Sequence, residues 1–154
     1  MSINGLEHFV PIVILDFMKS KHKYYLTGSR YFGGVHSESD WDFIVHANSD
    51  VMEELTSWGF LELSHPEYSD PTVTKVMYIH CDINGKKTTI DVQLVKEINI
   101  KLFIQKFLKN HWTYHGMPCD KSQRKQAWNL AYDMVRAMPW GEDFIREYME
   151  IQKA

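Results

Sequence analysis

Residues 26–44 read Leu-Thr-Gly-Ser-Arg-Tyr-Phe-Gly-Gly-Val-His-Ser-Glu-Ser-Asp-Trp-Asp-Phe-Ile, and this stretch decides how the rest of the chain is read. Tyr24-Tyr25-Leu26 is a short apolar run suited to a strand end, and Gly28-Ser29 then opens a tight turn. Asp40 and Asp42 flank Trp41 and lead into Phe43-Ile44-Val45, a second strand. Side chains i and i+2 of a strand share a face. Asp40 and Asp42 therefore project together, while Trp41 turns the other way into the core.

Two carboxylates on one face repel each other unless something positive holds them. Hard oxygen ligands suit Mg²⁺, which commonly sits between one or two carboxylates and substrate phosphates. The Gly28-Ser29 turn supplies the complementary half. Glycine lets the backbone come close to a ligand, and a serine hydroxyl with exposed backbone N–H groups holds phosphate oxygens. A phosphate cradle beside metal-binding carboxylates points to nucleotidyl transfer.

Gly28-Ser29-Arg30, Gly33 and Ser39-Asp40-Trp41-Asp42 together resemble the signature of the DNA polymerase beta-like nucleotidyltransferase superfamily. In size the chain is similar to its minimal members, which include small bacterial and phage proteins and antitoxins of that type. Gly33 lies five residues after Gly28 and Asp40 twelve after it, both in keeping with the family's spacing. A Gly-Ser pair alone is a weak signal. Followed at this distance by Ser-Asp-x-Asp entering an apolar strand, it is a strong one.

The chain has 154 residues, enough for one domain with a real core. Charged residues make up 24% and hydrophobic ones 44%, ordinary for a globular protein, whereas the aromatic share of 14% favours a well-packed interior or an aromatic-lined pocket. A net charge of −3 offers no basic field for extended duplex nucleic acid. Cys81 and Cys119 lie far apart without CxxC spacing, which favours a reduced, intracellular chain. Val10 to Leu15 is too short an apolar run to span a bilayer, and the N-terminus has no signal-peptide pattern. A cytoplasmic protein with no membrane association is expected.

Leu6 to Ser20 has helical periodicity in Phe9, Ile12, Val13 and Phe17, although Pro11 argues that the helix begins there or is irregular. Lys23–Thr27 and Trp41–Ala47 are the first strands, and Arg30–Gly34 is a short helical turn. Asn48 or Ser49 caps a helix through Trp58, with Gly59 as its stop. Phe60–Leu63 is a short strand and Ser64–Thr72 a mobile loop. Val73–Cys81 and Thr88–Val95 form a hairpin around Asn84-Gly85. Helices are expected over Ile98–Asn110, Ser122–Met138 and Glu142–Ile151. The apolar stripe of the second is Ala127, Leu130, Ala131, Met134 and Val135, and Asp120 or Ser122 caps it.

Asp91 is the lone carboxylate of an otherwise β-branched and apolar strand, where isolated buried charge is costly. The resemblance implies a third carboxylate on a later strand of this kind; Asp91 matches it, with Asp82 in reserve. The resemblance further implies an α/β fold (α+β in layer terms): a mixed sheet of four to five strands, helices packed on one face and a C-terminal helical segment. One domain over 1–154 is expected, with a catalytic core over 1–97 and helices over 98–154.

The implied reaction moves a nucleoside monophosphate, AMP from ATP in the first instance, to an acceptor hydroxyl with release of pyrophosphate. Two Mg²⁺ ions are implied: Asp40 and Asp42 hold both, Asp91 completes the site of the ion that activates the acceptor, and the resemblance allows Asp91 to take the acceptor's proton. Gly28 and Ser29 position the phosphates, with Ser39 in the same nucleotide-binding set. Arg30 either takes the triphosphate in a bidentate contact or pairs with an acidic neighbour. The acceptor (a protein, an RNA end or a small molecule, as in aminoglycoside nucleotidyltransferases) is not specified by these motifs. The alternative is a nucleotide-binding regulatory or antitoxin-type module acting through a protein partner.

Other features have plainer readings. His111 and His115 stand four apart, but Gly116 and Pro118 argue against a helix and no third ligand is apparent, so they read as packed or surface residues. Trp112 and Tyr114 read as core aromatics before base-stacking ones. Lys121, Arg124 and Lys125 read as a solvated face.

Overall fold

The computed structural model describes residues 12–33, 40–63, 72–83 and 86–137. Outside these fall the start of the first expected helix, Ser39, the loop through Pro71, the Asn84-Gly85 turn and the expected last helix. The elements in order are α1 (Ile12–Lys19), β1 (Tyr25–Thr27), α2 (Gly28–Phe32), β2 (Trp41–His46), α3 (Ser49–Ser57), β3 (Leu61–Glu62), β4 (Val73–Ile83), β5 (Lys86–Val95), α4 (Ile98–His115) and α5 (Lys121–Ala137). The expected α/β class is what the structure has. Its strands form one five-stranded mixed sheet in the order β1-β2-β5-β4-β3. Residues 1–96 and 97–154 are two compact units.

In the first unit, strand alternation divides the sheet into an apolar face and a second face. Phe43 and Val45 of β2, Met77 of β4, and Ile90, Val92 and Leu94 of β5 make the apolar face, and Phe17 of α1 with Val51 and Leu55 of α3 pack on it. Trp41 joins this core from its edge, as its parity with Phe43 requires. Phe17 is the aromatic centre. It stacks on Tyr24 with ring centres 4.3 Å apart and meets Phe43 edge-on at 4.9 Å. Both are favoured geometries for ring quadrupoles.

Polar bonds fix the approach of α1 and β1 to α3. Glu54 accepts from Tyr24 Oη at 2.7 Å, and its two carboxylate oxygens accept from Ser20 Oγ at 2.7 and 2.8 Å. Burial, then the neighbouring Glu54, push the Tyr24 phenol above its ordinary range, so it stays a donor. Asn48 caps α3 by accepting from the Asp50 amide at 2.7 Å. Gly59 follows with φ of +94°, the left-handed backbone that glycine adopts without strain.

In the second unit, α4 runs five residues beyond the expected end at Asn110, through His115. Gly116 and Pro118 stop the helix after His115 and leave the preceding turn intact. The Gly116 amide closes it on the Trp112 carbonyl at 2.8 Å. Trp112 is buried and Tyr114 is 86% exposed, so only the first of these aromatics is a core residue. α5 is capped by Asp120, whose Oδ1 accepts from the Ser122 amide at 2.9 Å. Its buried side keeps Val135 of the expected stripe, adds Tyr132 and leaves out Leu130 and Met134. Tyr132 and Val135 are buried, whereas Leu130 and Met134 are 62% and 57% exposed. Aromatic volume explains this: Trp128 and Tyr132 fill the interface, and the Trp128 ring lies 5.1 Å beneath the buried Lys101 ammonium. Arg124 bonds the carbonyls of Pro118 and Cys119 at 2.7 and 3.0 Å, so of the basic cluster only Lys121 and Lys125 are a solvated face.

Tyr24→Phe removes a hydrogen bond to a charged acceptor while keeping the ring stack, and a loss of ~1–2 kcal/mol is expected. Phe17→Ala empties the aromatic centre and should cost ~3–4 kcal/mol. Urea unfolding followed by tryptophan fluorescence measures both.

Candidate active site

The second face of the sheet is where the acidic residues come together. β2 and β5 run parallel with Asp42 directly opposite Asp91. β1 places Thr27 on the other side of Asp42, and β4 places Tyr78 on the other side of Asp91. One row across four strands is therefore Thr27, Asp42, Asp91, Tyr78. Neighbouring strands lie about 4.8 Å apart, so the two carboxyl groups are in reach of each other, and they share a hydrogen bond. The next row towards the core end, Ile44, Gln93 and Val76, is buried. On the opposite side of the acid row, Asp40 and His80 are exposed. The carboxyl pair thus sits at the boundary between sheet interior and solvent.

Gly28 closes the site from the β1 side. It follows Thr27 with φ of +72°, and its α-carbon faces Asp42 so closely that a β-carbon there would collide with Asp42 Oδ2 and lie 3.0 Å from Asp42 Cβ and Cγ. Glycine is required twice over: for its left-handed backbone and for the absence of a side chain. Ser29 is exposed in the first turn of α2, and the Gly33 amide ends that turn on the Ser29 carbonyl at 2.9 Å. The two halves of the quoted motif therefore meet in space, with the Gly28 backbone against the Asp42 carboxyl.

Charge within the site is unbalanced. Burial raises the Asp91 pKa above its ordinary 3.8 and the Asp40 charge adds to this, while the hydrogen bond with Asp42 and the charge of His80 pull it back. Arg30 stacks on Trp41 with its guanidinium carbon 4.0 Å from the ring centre. Burial pulls its pKa down, and the charges of Asp40 and Asp42 support its protonated form.

Among the described residues, no group of three or more His, Cys, Asp or Glu side chains is gathered so as to hold a metal ion. The contacting pair, Asp42 and Asp91, is a set of hard oxygen donors of the kind Mg²⁺ takes alongside phosphates. Asp40 lies two residues away on the same strand path, exposed, next to residues outside the described set. Asp82 is opposite Lys87, four positions along β4 from the partner of Asp91, and is not part of the acid row.

Tyr78, His80 and Thr89 were not singled out from the sequence, yet they border the acids. His80 Nδ1 and Thr89 Oγ1 share a hydrogen bond of 3.0 Å, and the Tyr78 and His80 rings are 5.3 Å apart. The signal for them was the hairpin. Its two-residue connection, between Ile83 and Lys86, sets Tyr78 against Asp91 and His80 against Thr89. No protein-family model, curated protein or solved structure matches the chain.

The folded protein binds the Asp91 proton more tightly than the unfolded chain does. In chelator-treated protein, stability should therefore fall as pH rises from about 3.8 through the raised Asp91 value. Asp91→Asn should flatten that part of the Tm–pH curve, read by differential scanning fluorimetry. Gly28→Ala should cost about 1–2 kcal/mol for the left-handed backbone alone, and urea unfolding should show more because Asp42 must move.

Proposed function

We propose that the chain is a metal-dependent nucleotidyltransferase, moving a nucleoside monophosphate, AMP from ATP in the first instance, onto an acceptor hydroxyl. The observation that supports this best is the contact between Gly28 and Asp42 together with the level pairing of Asp42 and Asp91. Phosphate cradle and carboxylate pair are adjacent, although 14 and 49 residues separate them along the chain.

Asp42 and Asp91 would hold Mg²⁺, with Asp40 as the third acid. When bound, Mg²⁺ neutralises charge on the phosphate oxygens. The Gly28 turn presents its backbone to the β- and γ-phosphates, and Ser29 adds a hydroxyl. Arg30 brings positive charge to the same end. The in-line geometry of phosphoryl transfer puts attacking and leaving oxygens on opposite sides. With the pyrophosphate at the β1–α2 turn, the acceptor enters from the β4 side, over Tyr78 and His80. Asp91, on the strand next to β4, would take the acceptor's proton. Alignment and charge neutralisation supply most of the acceleration.

The test uses each of the four nucleoside triphosphates labelled at the α-phosphate, incubated with the protein, Mg²⁺ and a cell lysate as source of acceptors. Transfer of label from one of them is expected, with no transfer from γ-labelled nucleotide. Asp42→Asn or Asp91→Asn should lower transfer about a thousandfold or more, the rate equivalent of several kcal/mol of lost charge stabilisation. If calorimetry shows Mg²⁺-dependent nucleotide binding but no label moves, the regulatory, antitoxin-type reading replaces the enzymatic one. If nucleotide affinity is absent, or is the same with and without Mg²⁺ and in both variants, both readings fail.

A further inference from the structure

α4 ends on a pair of imidazoles that the proposed transfer reaction does not use. His111 and His115 are both exposed, with ring centres 4.5 Å apart and ring planes tilted by 38°. Phe107 stacks on His111 at 6.3 Å and 11°, and Phe103 stacks on Phe107 at 6.4 Å and 20°. Four rings thus follow one another at four-residue intervals along a single helix face. We propose that His111 and His115 form a two-imidazole chelate site for a divalent transition-metal ion of borderline softness: Zn²⁺, Ni²⁺ or Cu²⁺.

The spacing suits chelation. Residues four apart on a helix are neighbours on its surface. Imidazole nitrogen binds such an ion at about 2 Å. Two rings doing so at angles between a right angle and the tetrahedral one have centres about 4.5–5.2 Å apart. The observed centre-to-centre separation of 4.5 Å falls at the lower end of this range. The Phe107 ring lies nearly parallel to the His111 imidazole, offset along the helix face.

Two further features favour a cation here. The pair occupies the end of an 18-residue helix, where the last carbonyls concentrate partial negative charge. Both side chains are exposed, so an ion and its completing waters reach them directly. Imidazole selects borderline ions and discriminates against Mg²⁺ and Ca²⁺, which require oxygen ligands. The chemistry is thus complementary to the Asp42–Asp91 pair, and the site does not depend on the transferase reading. Coordination by both rings would also pin the last turn of α4 against fraying.

The full chain, free of any affinity tag and stripped with chelator, is titrated with ZnCl₂ by calorimetry in non-coordinating buffer containing excess Mg²⁺. One Zn²⁺ per chain is expected at the tightest site, and Tm should rise with Zn²⁺. His111→Ala and His115→Ala should each weaken the binding about tenfold or more and remove the Tm rise, whereas Cys119→Ser should leave both unchanged. Circular dichroism of these exposed-site variants reports whether the helix content is kept. Nitrogen splittings from two imidazoles in the Cu²⁺ electron paramagnetic resonance spectrum, lost in either histidine variant, would give the same result independently. Zinc affinity retained in the His111→Ala/His115→Ala double variant, or no binding at micromolar Zn²⁺, overturns the proposal.

Discussion

Two carboxyl groups lie side by side on adjacent parallel strands, half-buried, with a glycine backbone pressed against one of them. Among the described residues of the first unit, the core packing lies on the other face of the sheet and does not involve these acids. An apolar pair at 42 and 91 would bury more readily and would spare the fold the carboxyl burial that, with the charge of Asp40, raises the Asp91 pKa. The acids are tolerated because the opposite face of the same sheet is a continuous aromatic and aliphatic core. Its Phe17, Phe43, Val92 and Leu94 hold β2 and β5 in register whatever the second face contains. The apolar core and the carboxyl pair are thus divided between two faces of one sheet by the two-residue period of its strands.

The same division explains why α1 and α3, which pack Phe17, Val51 and Leu55 on the other face, matter for the candidate site. Their side chains cover the apolar face, and the Ser20–Glu54–Tyr24 bonds fix where β1 begins. From that point only a few residues lead to Gly28, and its position against Asp42 depends on β1 pairing antiparallel with β2 at Thr27. A local hydrogen-bond knot therefore sets the geometry of a close approach some residues away.

The second unit has a different character. Its buried side chains are aliphatic, aromatic and partly polar, with Lys101 over Trp128, and an exposed helix face ends in imidazoles. Carboxylates in one unit and imidazoles in the other favour different classes of cation, hard and borderline respectively. Neither set substitutes for the other.

Much of this was legible from residue order. Gly28-Ser29, the Asp-x-Asp parity around Trp41, the Asn48 cap, the stop at Gly59 and the hairpin arms are local rules, decided by φ preferences and side-chain alternation within a few residues. Asp91 was also visible, as a charge out of place in an apolar strand. Three things were not. The extension of α4 through His115 depended on where a helix stop begins to act, and Gly116 acts only at its own position, leaving the turn before it helical. The buried side of α5 depended on aromatic volume in a tertiary contact, which outweighed the stripe that Leu130 and Met134 suggested. The level pairing of Asp42 with Asp91 joins strands 49 residues apart, and parallel pairing has no local turn to announce its register. The sequence by itself determined which residues are chemically able and which strand face each occupies. Only the tertiary structure decided which of them stand beside one another, because strand order and register are set by burial of the whole core.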